Sequence, residues 1–160
     1  MFPGQPAQAR GARRWVRALA SAAGITDPGD AELITAELFA NAVLHTRSGG
    51  AGGLVVVAVT ADGVIHVHDY GTAGPCPGLS AAPAGGPGES GRGLEIVAAL
   101  SGGLAHLPAA WCPAAGPGDP AVRAGGCCTC CRPPTRPAVL PSPETGPSAL
   151  AVTTEGSVAR

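Results

Sequence analysis

Apolar positions along the first hundred residues repeat with two different periods. Between Pro6 and Ala23, the residues Ala9, Ala12, Trp15, Val16, Leu19 and Ala23 recur at three- and four-residue spacing, which predicts an amphipathic helix. Arg10, Arg13, Arg14 and Arg17 crowd its other side, and Gly24 supplies a stop. A second helix is predicted from Asp27-Pro28 to about His45, ending before Ser48-Gly49-Gly50. Asp27 can cap it, Pro28 suits the first helical position, and Asp30 favours the positive end of the dipole. Leu33, Ile34, Leu38, Phe39, Ala42, Val43 and Leu44 surround this helix, so it reads as buried on most sides.

The period then switches to that of strands. Leu54 to Thr60 is rich in β-branched residues, Ala61-Asp62-Gly63 is a turn, and Val64 to His68 alternates, so the pair predicts a hairpin ending at Asp69. Gly71 to Gly91 is dominated by Gly, Pro, Ala and Ser and reads as a loop. Leu94 to Leu100 predicts a short helix, and Gly103 to Leu107 fits a further strand. Beyond residue 107 the periodicity fades, and ten of the 17 prolines fall from Pro108 onward. The expected organisation is one domain over residues 1–107 and a Pro/Gly/Cys-rich, disordered tail over 108–160.

Composition narrows the chemistry. All ten basic residues are arginine, so no lysine is available to hold phosphate in a P-loop. A net charge of −1 leaves no electrostatic footprint for nucleic acid or an anionic membrane. No apolar run approaches the ~18–20 residues that span a bilayer, and Met1-Phe2-Pro3-Gly4 is unlike a signal peptide. A cytoplasmic location is expected, and in that reducing compartment the six cysteines do not read as a disulfide framework.

Three features carry candidate chemistry. Glu37, Asn41 and His45 stand four residues apart and share one stripe of the second helix. A carboxylate and a carboxamide on a largely apolar helix need a partner, such as a metal ion with phosphates, unless the stripe simply faces water. Asp69-Tyr70-Gly71 follows a strand, where an aspartate can accept a hydrogen bond from an exocyclic amine, or merely make a turn. Gly91-Arg92-Gly93-Leu94 opens a helix, where free N–H groups and the dipole attract anions.

The order of these features is more specific than any one of them. An E-x-x-x-N-A-x-x-H helix, a strand ending D-x-G, a loop and G-x-G-L resembles the ATPase fold shared by gyrase, MutL mismatch-repair proteins, ninety-kilodalton heat-shock chaperones and sensor histidine kinases. Phe2-Pro3-Gly4, Glu37-Leu38-Phe39-Ala40-Asn41-Ala42-Val43-Leu44-His45-Thr46 and Gly91-Arg92-Gly93-Leu94-Glu95-Ile96-Val97 are similar to the compact anti-sigma-factor serine kinases and related single-domain ATP-binding proteins of actinomycetes.

The resemblance implies a Bergerat-type α/β two-layer sandwich, with helices on one face of a mixed, mostly antiparallel sheet. It implies ATP and Mg²⁺ as cofactors. Asn41 would hold the metal, Glu37 would be the general base, and Asp69 would read the adenine amine beside Gly71. Gly91, Arg92, Gly93 and Leu94 would form the phosphate lid, and His45 matches a helix-end histidine of the site. The implied activity is a serine/threonine protein kinase acting on an anti-sigma-factor antagonist, with a sigma factor as a further partner and a homodimer as the assembly. The alternative is a regulatory module that binds nucleotide without catalysis.

Two departures stand out. Asp69-Tyr70-Gly71-Thr72-Ala73-Gly74 places its second glycine one position late against the family's D-x-G-x-G. The family's closing strand, which contributes a polar residue near the adenine, is not recognisable in WCPAAGPGDPAVRAGGCCTCCRPP at 111–134, through divergence or a shifted reading frame. Cys127, Cys128, Cys130 and Cys131 lie too close together in sequence to wrap one tetrahedral ion, and Cys76 and Cys112 are isolated. His66, His68 and His106 read as strand surface or core positions.

Overall fold

A computed structural model describes residues 1–72, 93–112, 114–116 and 118–134. The loop expected over 71–91 therefore lies almost wholly outside the described residues, as does the tail beyond 134. The first helix opens with a 3₁₀ turn at Pro6–Gln8 and continues as α1 over Ala9–Ala22. Ala12, Val16 and Ala20 face the core, whereas Trp15 is 41% exposed. α2 spans Pro28–His45, with the Asp27 carboxylate accepting from the Gly29 N–H at 2.7 Å and the Asp30 N–H at 3.4 Å. Its burial is less complete than its composition predicts. Ile34, Leu38, Phe39 and Ala42 are in the core, but Leu33 and Leu44 are exposed.

The strands are β1 (Phe2–Pro3), β2 (Leu54–Val59), β3 (Ile65–Asp69), β4 (Leu104–Pro108) and β5 (Cys127–Cys131), with α3 at Gly93–Leu100 and a one-turn α4 at Pro120–Arg123. They form a five-stranded sheet in the order β1-β2-β3-β5-β4. The sheet is antiparallel at every pairing among the described strands, in keeping with the mostly antiparallel sheet expected. β5 comes last among the described strands yet lies between β3 and β4, pairing Val67 with Thr129 on one side and His106 with Thr129 on the other. Part of the segment read as a tail is thus an inner strand. Cys127 is disulfide-bonded, unlike the expectation for a reducing compartment, and Cys112, Cys128, Cys130 and Cys131 are free thiols.

Alternation along the strands gives the sheet two different faces. Val55, Val57, Ile65, Val67 and Cys131 join α1 and α2 residues in the main core, with Val97 of α3. His66, His68 and Cys128 point to the opposite face and are buried there as well. That face is covered by the chain between β4 and β5, which carries Cys112, Asp119 and α4. No described helix is long and apolar enough to cross a membrane.

β1 was not foreseen. It adds Phe2 to the edge of β2, where the ring meets Trp15 at 6.4 Å and Phe39 at 6.2 Å, edge to face in both cases. Such aromatic pairs contribute about 0.5–1.5 kcal/mol each beyond area burial. Phe2→Ala should therefore cost about 3 kcal/mol of unfolding free energy. Leu44→Ala, at a side chain 70% exposed, should shift the urea midpoint little.

Candidate nucleotide site

The stripe on α2 meets the start of α3. A Cβ placed on Gly93 would lie 2.7 Å from Glu37 Oε2 and 3.7 Å from Glu37 Cβ, so only glycine lets the carboxylate come this close to the helix N-terminus. The positive end of α3 favours that negative charge. Asn41 is half-buried one turn further along α2, and its carboxamide makes no hydrogen bond among the described residues. Its oxygen is a hard ligand of the kind Mg²⁺ takes. Leu94 packs against the core and anchors the start of α3. His45 lies exposed at the end of α2. Gly91 and Arg92 fall outside the described residues.

Asp69 ends β3 with its side chain turned to the helix layer, alongside Ile65 and Val67. Oδ1 accepts the Gly71 N–H at 2.6 Å, an Asx-type turn, and Gly71 takes a φ of 63°. Burial pushes the carboxyl up to about 6, against the opposing pull of the Gly71 N–H, the neighbouring His68 imidazole and the Thr46 hydroxyl.

Two residues that the sequence did not single out hold this turn in place. Arg47 donates from Nε at 3.0 Å and from Nη2 at 2.5 Å to the Tyr70 carbonyl, and from Nη2 to the Ala124 carbonyl at 2.8 Å. The buried Ser48 hydroxyl accepts the Tyr70 N–H at 2.9 Å and donates to the Leu54 carbonyl at 2.6 Å. The end of α2, the end of β3 and the start of β2 are therefore one hydrogen-bonded unit. The only sequence signal for these roles was their place after a helix, before a glycine pair.

β5 adds a polar residue to the same inner face. Thr129 stands opposite Val67, and its hydroxyl is 2.7 Å from His106 Nδ1. The donor set fits a magnesium nucleotide in three respects: a carboxamide oxygen free to take a hard cation, a glycine at the helix start that leaves its backbone N–H groups open on the Glu37 side, and a buried carboxylate at a strand end.

Asp69 sets a measurable pH dependence. Its carboxyl titrates near 3.8 when unperturbed and about 6 in the fold. Between those values the folded chain holds a proton that the unfolded chain has lost. Stability therefore falls as pH rises through that window and stays lower above it. Asp69→Asn should remove this slope, gaining on the order of 2 kcal/mol relative to wild type between pH 4 and pH 7. Urea unfolding at both pH values checks it; an equal wild-type–variant gap at each would contradict the buried-carboxyl assignment.

The sequence profile of the histidine kinase-like ATPase domain matches residues 2–105. Neither a search of curated proteins nor one of solved structures finds a match. With its α/β fold and that match across most of the described chain, the protein belongs to the histidine kinase-like ATPase domain family.

Proposed function

We propose that the chain is an ATP·Mg²⁺-dependent serine/threonine protein kinase whose substrate is an anti-sigma-factor antagonist. The observation that carries the reading is Glu37 at the start of α3, one helical turn from Asn41. A base within reach of the phosphate end, beside a ligand for the metal, suits transfer of a γ-phosphoryl group to a hydroxyl. Mg²⁺ would supply charge neutralisation across the phosphates, and the chain would supply position. Glu37 would take the proton of the attacking hydroxyl, Asp69 would hold the adenine amine, and Thr129 would complete the base pocket. A sigma factor bound to the same protein, a homodimer and a cytoplasmic location belong to this proposal.

One feature favours the second reading, a nucleotide-binding regulator without catalysis. The Glu37 carboxylate lies against the very helix start that would receive phosphate, and two anions there repel. Transfer then requires that carboxylate to swing away.

Two measurements separate the readings. Calorimetric titration with ATP·Mg²⁺ should show binding by wild type and its loss in Asn41→Ala. Incubation with labelled ATP and candidate antagonists should show transfer, reduced at least ~100-fold in Glu37→Ala. Binding without transfer supports the regulator, and absence of binding removes both. ATP affinity should also strengthen as pH rises through about 6, because ionised Asp69 is the better acceptor for the adenine amine. A pH-independent affinity would count against Asp69 as that acceptor.

A further inference from the structure

On the face of the sheet away from the helices, four side chains converge that the nucleotide reading does not use. His66 and His68 are two residues apart on β3 and so point the same way. Cys128 sits directly opposite His68 on β5, and Cys112 comes from the covering segment. All four are buried, and one ligand atom from each lies within 4.8 Å of the others. Cys112 Sγ is 3.2 Å from His66 Nδ1, 3.4 Å from His68 Nε2 and 3.0 Å from Cys128 Sγ. Cys128 Sγ is 3.7 Å from His66 Nδ1.

The sulfur–nitrogen separations are close to the edges of a metal tetrahedron, and the shorter sulfur–sulfur separation would open as the ion enters. With Zn–S near 2.3 Å and Zn–N near 2.0–2.1 Å, the ligand–ligand edges are about 3.3–3.8 Å. The surroundings fit as well. Asp119 hydrogen-bonds to His68 Nδ1 through Oδ2, while its Oδ1 caps α4 by accepting the Ala121 N–H at 2.8 Å. With its proton on the Nδ1 side, His68 turns the lone pair of Nε2 toward the cysteines. A carboxylate behind a ligating imidazole is the usual outer partner of a metal site.

We propose that His66, His68, Cys112 and Cys128 form a structural zinc site, with Asp119 orienting His68. Two thiolates and two imidazoles select zinc over Mg²⁺, which takes oxygen. Binding replaces two thiol protons with one Zn²⁺ and releases those protons to solvent, so no oxidant or reductant takes part. The ion would pin the segment between β4 and β5 onto β3 and β5. That segment is rich in Gly and Pro, and few large apolar residues hold it.

The full chain, purified under reducing conditions and equilibrated with zinc, should retain one Zn²⁺ after gel filtration. Co²⁺ in its place should give the strong visible bands of a tetrahedral site and thiolate charge transfer, a readout that needs no variant. Cys112→Ser and Cys128→Ser should each abolish retention, whereas Cys130→Ser, outside the cluster, should keep it. Asp119→Asn should weaken affinity about 10–100-fold. The proposal fails if reduced protein, folded by circular dichroism, retains no zinc and gives no tetrahedral cobalt spectrum. It fails equally if Cys112→Ser retains zinc as wild type does, or if a Cys112–Cys128 disulfide persists in reductant.

Discussion

The pairing of β3 with β5 is the contact on which the rest of the sheet depends. β3 has β2 on one edge only, and its other row of N–H and C=O groups is satisfied by a strand more than fifty residues later in the chain. An unpaired buried backbone group costs about as much as a lost hydrogen bond, so β3 cannot be an inner strand until β5 arrives. β4 depends on β5 in the same way, because its described pairing is to β5 alone. The last described strand in sequence is thus the one that joins the two halves of the sheet.

That dependence explains why a residue pair at one end of β3 serves two purposes. Asp69 faces the helix layer and His68 the covering layer, because successive side chains of a strand point to opposite faces. A shift of one residue in the β3–β5 register, with β3 held by β2, would exchange the faces of β5. It would turn Cys128 away from the imidazoles and Cys131 out of the aliphatic core. Arg47 guards the same junction from the side, joining the turn after Asp69 to the carbonyl of Ala124 just before β5. Site geometry and closure of the sheet are one problem in this chain, and the residues that solve it are mostly not those that would touch ATP.

The legible part of the sequence was the part with local causes. α2 could be read from Asp27 to His45 because its cap, first-turn proline and apolar spacing are all within one segment. The hairpin could be read because its β-branched runs flank a short turn. The Glu37–Asn41 stripe follows from helix period alone, and its meeting with Gly93 accords with the order of motifs. β5 was not legible, because Cys-Cys-Thr-Cys-Cys carries no apolar alternation and owes its extended form to partners on both sides. β1 was missed for a related reason: two residues are too few for a period, and pairing with β2 supplies the order. The His66–His68 spacing was visible, but its meaning depends on Cys112 and Asp119, which only the covering segment brings near.

Loop closure shows why the second layer gains from a cross-link. Bringing β5 to β3 closes a long loop, and the entropy cost grows only slowly with length, by about 0.6 kcal/mol for each doubling. The larger difficulty is on the reward side. A strand of four cysteines and one threonine buries less apolar area than one of valines and isoleucines, and its covering segment adds few large side chains. A sheet closed by so weakly apolar a strand needs stabilisation from another source. Ligands drawn from β3, β5 and the covering segment would tie that strand and that segment to β3 without relying on apolar burial. The nucleotide pocket would benefit at one remove, since Asp69 shares a peptide bond with His68, and whatever fixes one fixes the backbone of the other.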